Sequence, residues 1–417
     1  MRVFKFGGAS VKDAAGVDNV LNLLKTVGYD DVLLVVSAMG KSTNALEVIV
    51  KNYFEKSAEL ENSIQDLKDY HLVIINDLFG NDVAQVNADS QKLYDELEDF
   101  IRLNKSHDYS YVYDQIVSLG ELLSTTILSN YLNHKGLTNQ WLDVRDLVET
   151  DSTYRDATVN WELTEKNITA TVNKNVLNIT QGFLGSDANN FTTTLGREGS
   201  DYTAAIFAYC LNAESVTIWK DVPGVMNGDP RVFEDAILLN QISYREAIEL
   251  AFYGATVIHP KTLQPLQRKE IPLFVKSFLN PLLPGTKVSK GADLEPHQPC
   301  YILKNNQLLI SLSSKSFSFI MEDNISEIFS LLHKYKMKVH LIQNSAISFS
   351  VCVDDKYNNL HRLYEELHEK FAVTFNENVS LYTVRHFNEE SSKKIEKNKV
   401  VMLKQFSRET MQIVAKE

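Results

Sequence analysis

Short apolar runs alternate with longer segments of mixed polarity along the first 290 residues. The runs fall at Arg2–Phe6, Asp31–Ser37, Gln140–Asp143, Val176–Thr180, Ser215–Lys220 and Leu273–Ser277, the last being the final strand expected in this part. DVLLVVS at 31–37 is apolar throughout, as a strand covered on both faces requires. Helix is expected over about 12–26 and through most of 44–135, with polar connectors near 80–90 and 104–110. A further amphipathic helix is expected over 242–253, ended by Gly254. Strands alternating with helices predict an α/β sheet sandwiched between helices. Glycine-containing loops follow several strands: Gly7-Gly8, Gly40, and 181–186 with Gly182 and Gly185. Ligands of open α/β sheets gather at these strand ends.

The pattern changes after Pro284-Gly285. Gly291 and Pro296–Pro299 extend a linker-like region. Beyond it come strand 308–313, helix 325–335, strands 338–343 and 346–353, helix 357–370 and strand 372–376. This is the βαββαβ order of a ferredoxin-like, α+β unit. Strands near 380–387, 400–405 and 410–415 then suggest an incomplete second copy.

Composition narrows the class. At 417 residues, two or three domains are expected. A net charge of −12 argues against nonspecific nucleic-acid binding and against an anionic membrane surface. Cys210, Cys300 and Cys352 are too scattered for a disulfide framework or a ligand pair. With no apolar run of membrane-spanning length and no signal-peptide pattern, a cytoplasmic protein is expected.

One stretch gathers candidate chemistry. Leu195–Ala205 sets Arg197, Gly196, Gly199, Ser200 and Asp201 within six residues. Ser200 and Asp201 are expected to act as N-caps of the helix that follows. A helix start attracts anions, and an Arg beside it can grip a carboxylate or phosphate in a fork. Lys5 precedes Gly7-Gly8, so the turn lacks P-loop spacing but can still present N–H groups to phosphate. Glu121 stands in an apolar helix, where a carboxylate must be paired, bind a cation or face solvent. Thr43 is either a ligand donor or a helix cap.

In this order the motifs resemble those of the aspartate kinases, within the amino acid kinase superfamily. They are KFGGAS (5–10), VVSA (35–38), GELLS (120–124), GFLG (182–185), TLGREGSDYTA (194–204), WKDVPG (219–224), DPR (229–231), and YGA with IHP (253–260). The resemblance implies an amino acid kinase αβα domain over 1–290 and a regulatory ACT region over 300–417. The latter would hold one complete unit at about 308–376 and a partial one at about 380–417. It implies phosphoryl transfer from ATP, with Mg²⁺ bound to the nucleotide, onto the side-chain carboxylate of L-aspartate. That is the first step toward lysine, methionine and threonine. A carboxylate is already ionised at neutral pH, so catalysis rests on positioning and charge neutralisation.

Roles follow from the resemblance at matching positions. Lys5 and Asp201 are the catalytic pair, Lys5 neutralising phosphate charge. Lys5, Gly7, Gly8, Ser10, Lys220, Asp221, Met226 and Arg231 hold the nucleotide. Arg197 grips the α-carboxylate of aspartate and Glu121 its ammonium, while Thr43, Phe183 and Ser200 complete the pocket. His259 and Pro260 are expected to be structural. Gln343, Asn344 and Ser345 fall in the effector region, for lysine or threonine, and the ACT region is expected to join a homodimer or higher homo-oligomer.

Four kinase positions depart from the pattern. Ala9 stands for a Thr, Glu198 for a frequent Gly, Met226 for a frequent Tyr and Thr256 for a frequent Lys. In the regulatory part His340 and Ala346 replace two carboxylates of lysine-sensitive members, which argues against a cationic effector. Two other readings are another small-molecule kinase of the superfamily and an amino-acid sensor of weak activity.

Overall fold

A computed structural model describes residues 1–255, 258–316 and 318–416. Their contacts divide into two units. The first comprises Met1–Val225, Leu238–Ile248 and Val257–Glu295, and the second Met226–Ile237, Glu249–Thr256 and Pro296–Glu417. Residues 226–237 and 249–255 thus group with the second unit.

The first unit carries strands β1 (Arg2–Phe6), β2 (Val32–Val36), β3 (Asn139–Leu142), β4 (Glu149–Thr150), β5 (Leu177–Gln181), β6 (Leu184–Asp187), β7 (Thr192–Thr194), β8 (Ser215–Lys220), β9 (Gln241–Ser243), β10 (Leu273–Ser277) and β11 (Thr286–Ser289). Eight of them form one sheet in the order β3-β5-β2-β1-β8-β10-β11-β9. The run from β3 to β10 is parallel, with β11 antiparallel to β10. β2 is buried at all five residues, in keeping with its unbroken apolar run. Side-chain alternation sends Phe4 and Phe6 of β1 into a core with Leu21 and Leu24 of helix Ala14–Val27 and Leu128 of helix Leu119–His134. Helix Gly199–Leu211 packs on β1 and β2, and twelve of its thirteen residues are buried. It is apolar or small nearly all round, as an interior helix must be.

β10 is not the final strand of this unit. Pro284-Gly285, read as the start of a linker, turns the chain back into β11. Gly285 has φ +68°, and a Cβ there would lie 2.2 Å from the Val275 carbonyl oxygen, so only glycine fits. β9 and β11 have three and four residues, too few for periodicity to register. The 181–186 loop is likewise shorter than expected: Leu184–Asp187 is β6, paired to β4 and β7 in a small separate sheet.

The second unit is a six-stranded antiparallel sheet. Its strands are β12 (Cys300–Ser314), β13 (Lys338–Asn344), β14 (Ser348–Asp354), β15 (Phe371–Arg385), β16 (Val400–Phe406) and β17 (Thr410–Lys416), in the order β13-β14-β12-β15-β17-β16. One half packs helices Glu322–Lys334 and Leu360–Lys370 through Ile328, Leu363 and Leu367. The other half is fuller than expected. Cys300–Lys304 of β12 supplies a strand beside Leu381–Arg385 of β15, and helix Glu389–Glu396 covers it. Ile395 of that helix and Phe233 close a core on Tyr382, Val384, Met411 and Ile413. The helix has one large apolar residue in EESSKKIE, so it gives no apolar stripe. Its sequence signal is the reciprocal cap, with Asn388 Oδ1 accepting from Ser391 N–H and Ser391 Oγ accepting from Asn388 N–H.

Among the described residues, no helix is long and apolar enough to cross a membrane.

Candidate active site

Parallel strands β1, β2, β5 and β8 all end on one edge of the first unit's sheet, and most candidate residues collect there. Lys5 is the penultimate residue of β1, in register with Val35 and Ile218. Its Nζ lies 2.7 Å from Asp201 Oδ1, and both side chains are buried. Lys220, at the end of β8, places its Nζ 3.8 Å from Asp201 Oδ2. Burial alone would push the Asp201 carboxyl up, but Lys5 and Lys220 outweigh it and hold the group below the usual carboxylate range. Two cations on one carboxylate leave this point net positive, suited to a polyanion.

Ser200 and Asp201 are not N-caps. Glu198 holds that position in a left-handed conformation (φ +55°), and no side chain caps the first turn. The helix therefore starts at Gly199, at least two residues earlier than expected, and Asp201 lies within its first turn. The αL conformation at 198 also gives a physical reason for glycine there, because a side chain is strained at that φ.

The turn after β1 requires its glycines. A Cβ on Gly8 would lie 2.7 Å from the Ala38 oxygen and 2.9 Å from the Gly40 oxygen. A Cβ on Gly7 would meet Lys5 Nζ at 3.5 Å, so Gly7 borders the ammonium. Ser10 is buried and its Oγ has no hydrogen-bond partner among the described residues.

Glu121 lies in the first turn of helix Leu119–His134, which approaches the end of β2 through Gly120. A Cβ on Gly120 would be 2.9 Å from Ala38 Cβ. Ala38 N–H donates to Glu121 Oε1 at 3.3 Å, while buried Oε2 has no hydrogen-bond partner among the described residues. Burial pushes the Glu121 carboxyl up to about 8, against the pull of the Ala38 N–H and Lys5. An unsatisfied carboxylate oxygen beside a lysine suits a ligand that brings its own cation.

Phe183 and Ser200 are also brought together. A Cβ on Gly182 would strike Ser200 Cβ at 2.5 Å, and one on Gly199 would strike the Phe183 ring. Phe183 adopts φ +73°, with its N–H donating to Thr203 Oγ1 at 2.9 Å and its carbonyl accepting from Leu195 N–H at 2.8 Å. Thr43 is half-buried in the first turn of helix Ser42–Glu55, whose N-cap is Lys41, so Thr43 is not the cap.

The remaining candidates are exposed or belong to the second unit. Arg197 is exposed, and among the described residues no hydrogen bond or ion pair engages its guanidinium. It lines an open cleft of about 540 Å³ with Arg155, Asp156, His259, Pro260, Lys261 and Gln264. Lys5, Glu121 and Asp201 do not line that cleft. Asp221 is exposed. Met226 and Arg231 belong to the second unit, where the Arg231 guanidinium is 2.7 Å from Asp229. Gln343, Asn344 and Ser345 are exposed around the end of edge strand β13 in that unit. Thr256 lies outside the described residues. His259 caps helix Pro260–Lys269, its Nδ1 accepting from Lys261 N–H at 3.2 Å.

Sequence reasoning gave Lys220 to the nucleotide alone and missed its pairing with Asp201. It also passed over Lys261, whose Nζ bonds Asp156 Oδ1 at 2.8 Å and the Leu195 carbonyl at 3.0 Å. No local motif marks either contact.

Residues 1–277 match the model of the amino acid kinase family. The chain is 32% identical over 356 residues to lysine-sensitive aspartokinase 3 of Escherichia coli K12, covering 84% of this chain and 78% of that protein. It is 29% identical to a bifunctional aspartokinase/homoserine dehydrogenase 2 of Zea mays, but spans only 41% of that protein's length. Among solved structures, E. coli aspartokinase III in complex with lysine and aspartate matches at a TM-score of 0.82 and 27% identity, covering 99% of this chain and 95% of that one. The same enzyme with aspartate and ADP matches at a TM-score of 0.78 and 27% identity, covering 100% and 96%.

Proposed function

The chain belongs to the amino acid kinase family and is an aspartokinase, and from that premise we propose how its residues serve the reaction. ATP's γ-phosphoryl group passes to the side-chain carboxylate of L-aspartate, giving 4-phospho-L-aspartate and ADP. One carboxylate oxygen forms the new P–O bond as the bond to the β-phosphate oxygen breaks, and no proton need be removed.

The observation that carries the assignment is the Lys5–Asp201–Lys220 group at the ends of β1 and β8. Asp201 aims Lys5, whose ammonium offsets the charge spread over the transferred group. Gly7 and Gly8 let the phosphates approach the backbone, and the free Ser10 Oγ is available to them. Lys220 and Asp221, at the end of β8, are assigned to the nucleotide with Met226 and Arg231, the last two on resemblance alone. Among the described residues no three His, Cys, Asp or Glu are grouped to cage a metal. Mg²⁺ is therefore taken to arrive on the ATP phosphates, where it would neutralise charge on the transferred group.

Glu121 receives the α-ammonium of aspartate, and its unpartnered Oε2 supports this. Arg197 grips the α-carboxylate, its guanidinium being without a hydrogen bond or ion pair among the described residues. Thr43, Phe183 and Ser200 shape the pocket. E. coli aspartokinase III was solved with lysine. For this chain an amino-acid effector is proposed at Gln343, Asn344 and Ser345, with assembly through the second unit into a homodimer or larger, in the cytoplasm.

Purified protein with ATP, Mg²⁺, L-aspartate and hydroxylamine should yield aspartyl hydroxamate. No hydroxamate at any concentration of lysine or threonine would overturn the assignment.

A further inference from the structure

Among the described residues no hydrogen bond or ion pair engages the Arg197 side chain, so the backbone that carries it decides where its guanidinium reaches. That backbone is held at two points. Leu195 N–H donates to the Phe183 carbonyl at 2.8 Å, and Gly199 N–H donates to the Gly196 carbonyl at 3.0 Å. Between them the chain turns through Gly196 at φ +76°, where a Cβ would strike Asp156 Oδ1 at 2.5 Å.

Lys261 reaches this turn from outside. It is the second residue of helix Pro260–Lys269, with its own N–H fixed on His259. Its Nζ donates to the Leu195 carbonyl and to Asp156, and sits 5.2 Å from the centre of the Tyr202 ring. One ammonium thus ties the Arg197 turn to helix Gly199–Leu211, to helix Pro260–Lys269 and to the 151–157 segment.

We propose that Lys261, with Asp156 as its counter-ion, is a positioning residue that sets the reach of Arg197 and so the affinity for the substrate's α-carboxylate. The inference rests on the assignment of Arg197 made above. Asp156 is 75% exposed and Lys261 28%, so the pair itself adds little to global stability. Its effect is on geometry, to which a charged clamp on a small anion is sensitive.

The test is steady-state kinetics of Lys261→Met, Lys261→Arg and Asp156→Ala, with Arg197→Ala in parallel and melting temperatures recorded. Lys261→Met should raise the aspartate KM about tenfold. The ATP KM and kcat at saturating aspartate should stay within about twofold. Lys261→Arg should restore most of the affinity, and Asp156→Ala should give a smaller rise. An unchanged aspartate KM in Lys261→Met, with Arg197→Ala impaired, overturns the positioning role alone. Equal rises in both KM values with a lowered melting temperature also overturn it. If Lys261→Met does not fold, Asp156→Ala carries the same comparison. An unchanged aspartate KM in Arg197→Ala overturns the parent assignment instead.

Discussion

Lys5 and Asp201 form a buried ion pair, 2.7 Å from Nζ to Oδ1, joining a central strand to the first turn of an interior helix. Under the proposed assignment, the pair gives a reason for a carboxylate at a point where phosphate charge would be neutralised. Asp201 fixes the direction of one lysine and lies 3.8 Å from a second, which leaves an excess of positive charge at this point.

Asp201→Asn should lower kcat by about 100-fold, the scale on which one preorganised charge contact counts in a transition state. Its stability profile should change too. The carboxyl is held below its ordinary value near 3.8, so it contributes stability above that pH which is lost as pH falls through the folded value. Thermal melts from pH 7 to 3 should therefore fall less steeply at the acid end for Asp201→Asn than for the native chain.

Glu121 makes a pH prediction of opposite sign. Its folded carboxyl sits at about 8, above an ordinary value of 4.5, so its burial lowers stability as pH rises between those values. If Glu121 receives the substrate ammonium as proposed, the ionised form is favoured and aspartate binding below pH 8 releases this proton. The aspartate KM should fall by up to about tenfold per pH unit on approaching pH 8, then level off. Glu121→Gln should raise the KM and flatten the profile, as kinetics from pH 6.5 to 9 would reveal.

Glu198→Gly should stabilise the fold. The residue pays for a left-handed backbone at φ +55°, and glycine there relieves about 1 kcal/mol. Part of that gain is offset by glycine's greater freedom in the unfolded chain. A net gain of a few tenths of a kcal/mol or more in urea unfolding is expected.

Gly8→Ala should act on both folding and nucleotide. Its Cβ would press on two carbonyl oxygens at 2.7 and 2.9 Å, and overpacking of this kind costs about 1–3 kcal/mol. The ATP KM should rise more than the aspartate KM, which initial-rate kinetics would separate.

What the sequence reveals is what lies close together along the chain. The apolar run at 31–37 announces β2, and Lys5 with Gly7-Gly8 announces a phosphate-type turn, because each is local. The αL residue at 198 is not legible in the sequence, since a glutamate carries no local signal for a positive φ. With the N-cap at 198, Asp201 lies inside the helix as an ion-pair partner of Lys5 and is not a cap. Long-range contacts, such as Lys220 on Asp201 and Lys261 on Leu195, leave no periodic mark. Helix Glu389–Glu396 escaped because one buried isoleucine makes no stripe. The borrowed strand Cys300–Lys304 escaped because its partner lies some eighty residues away, Cys300 pairing with Arg385.

The central claim is that the lysine at the end of β1 stabilises the transferred phosphoryl group. The most direct measurement is kcat for aspartyl hydroxamate formation by Lys5→Met at saturating ATP and aspartate. A fall of at least about 100-fold is predicted, with the aspartate KM changed only a few-fold. A Lys5→Met protein that keeps kcat within a few-fold of the native value would contradict the account.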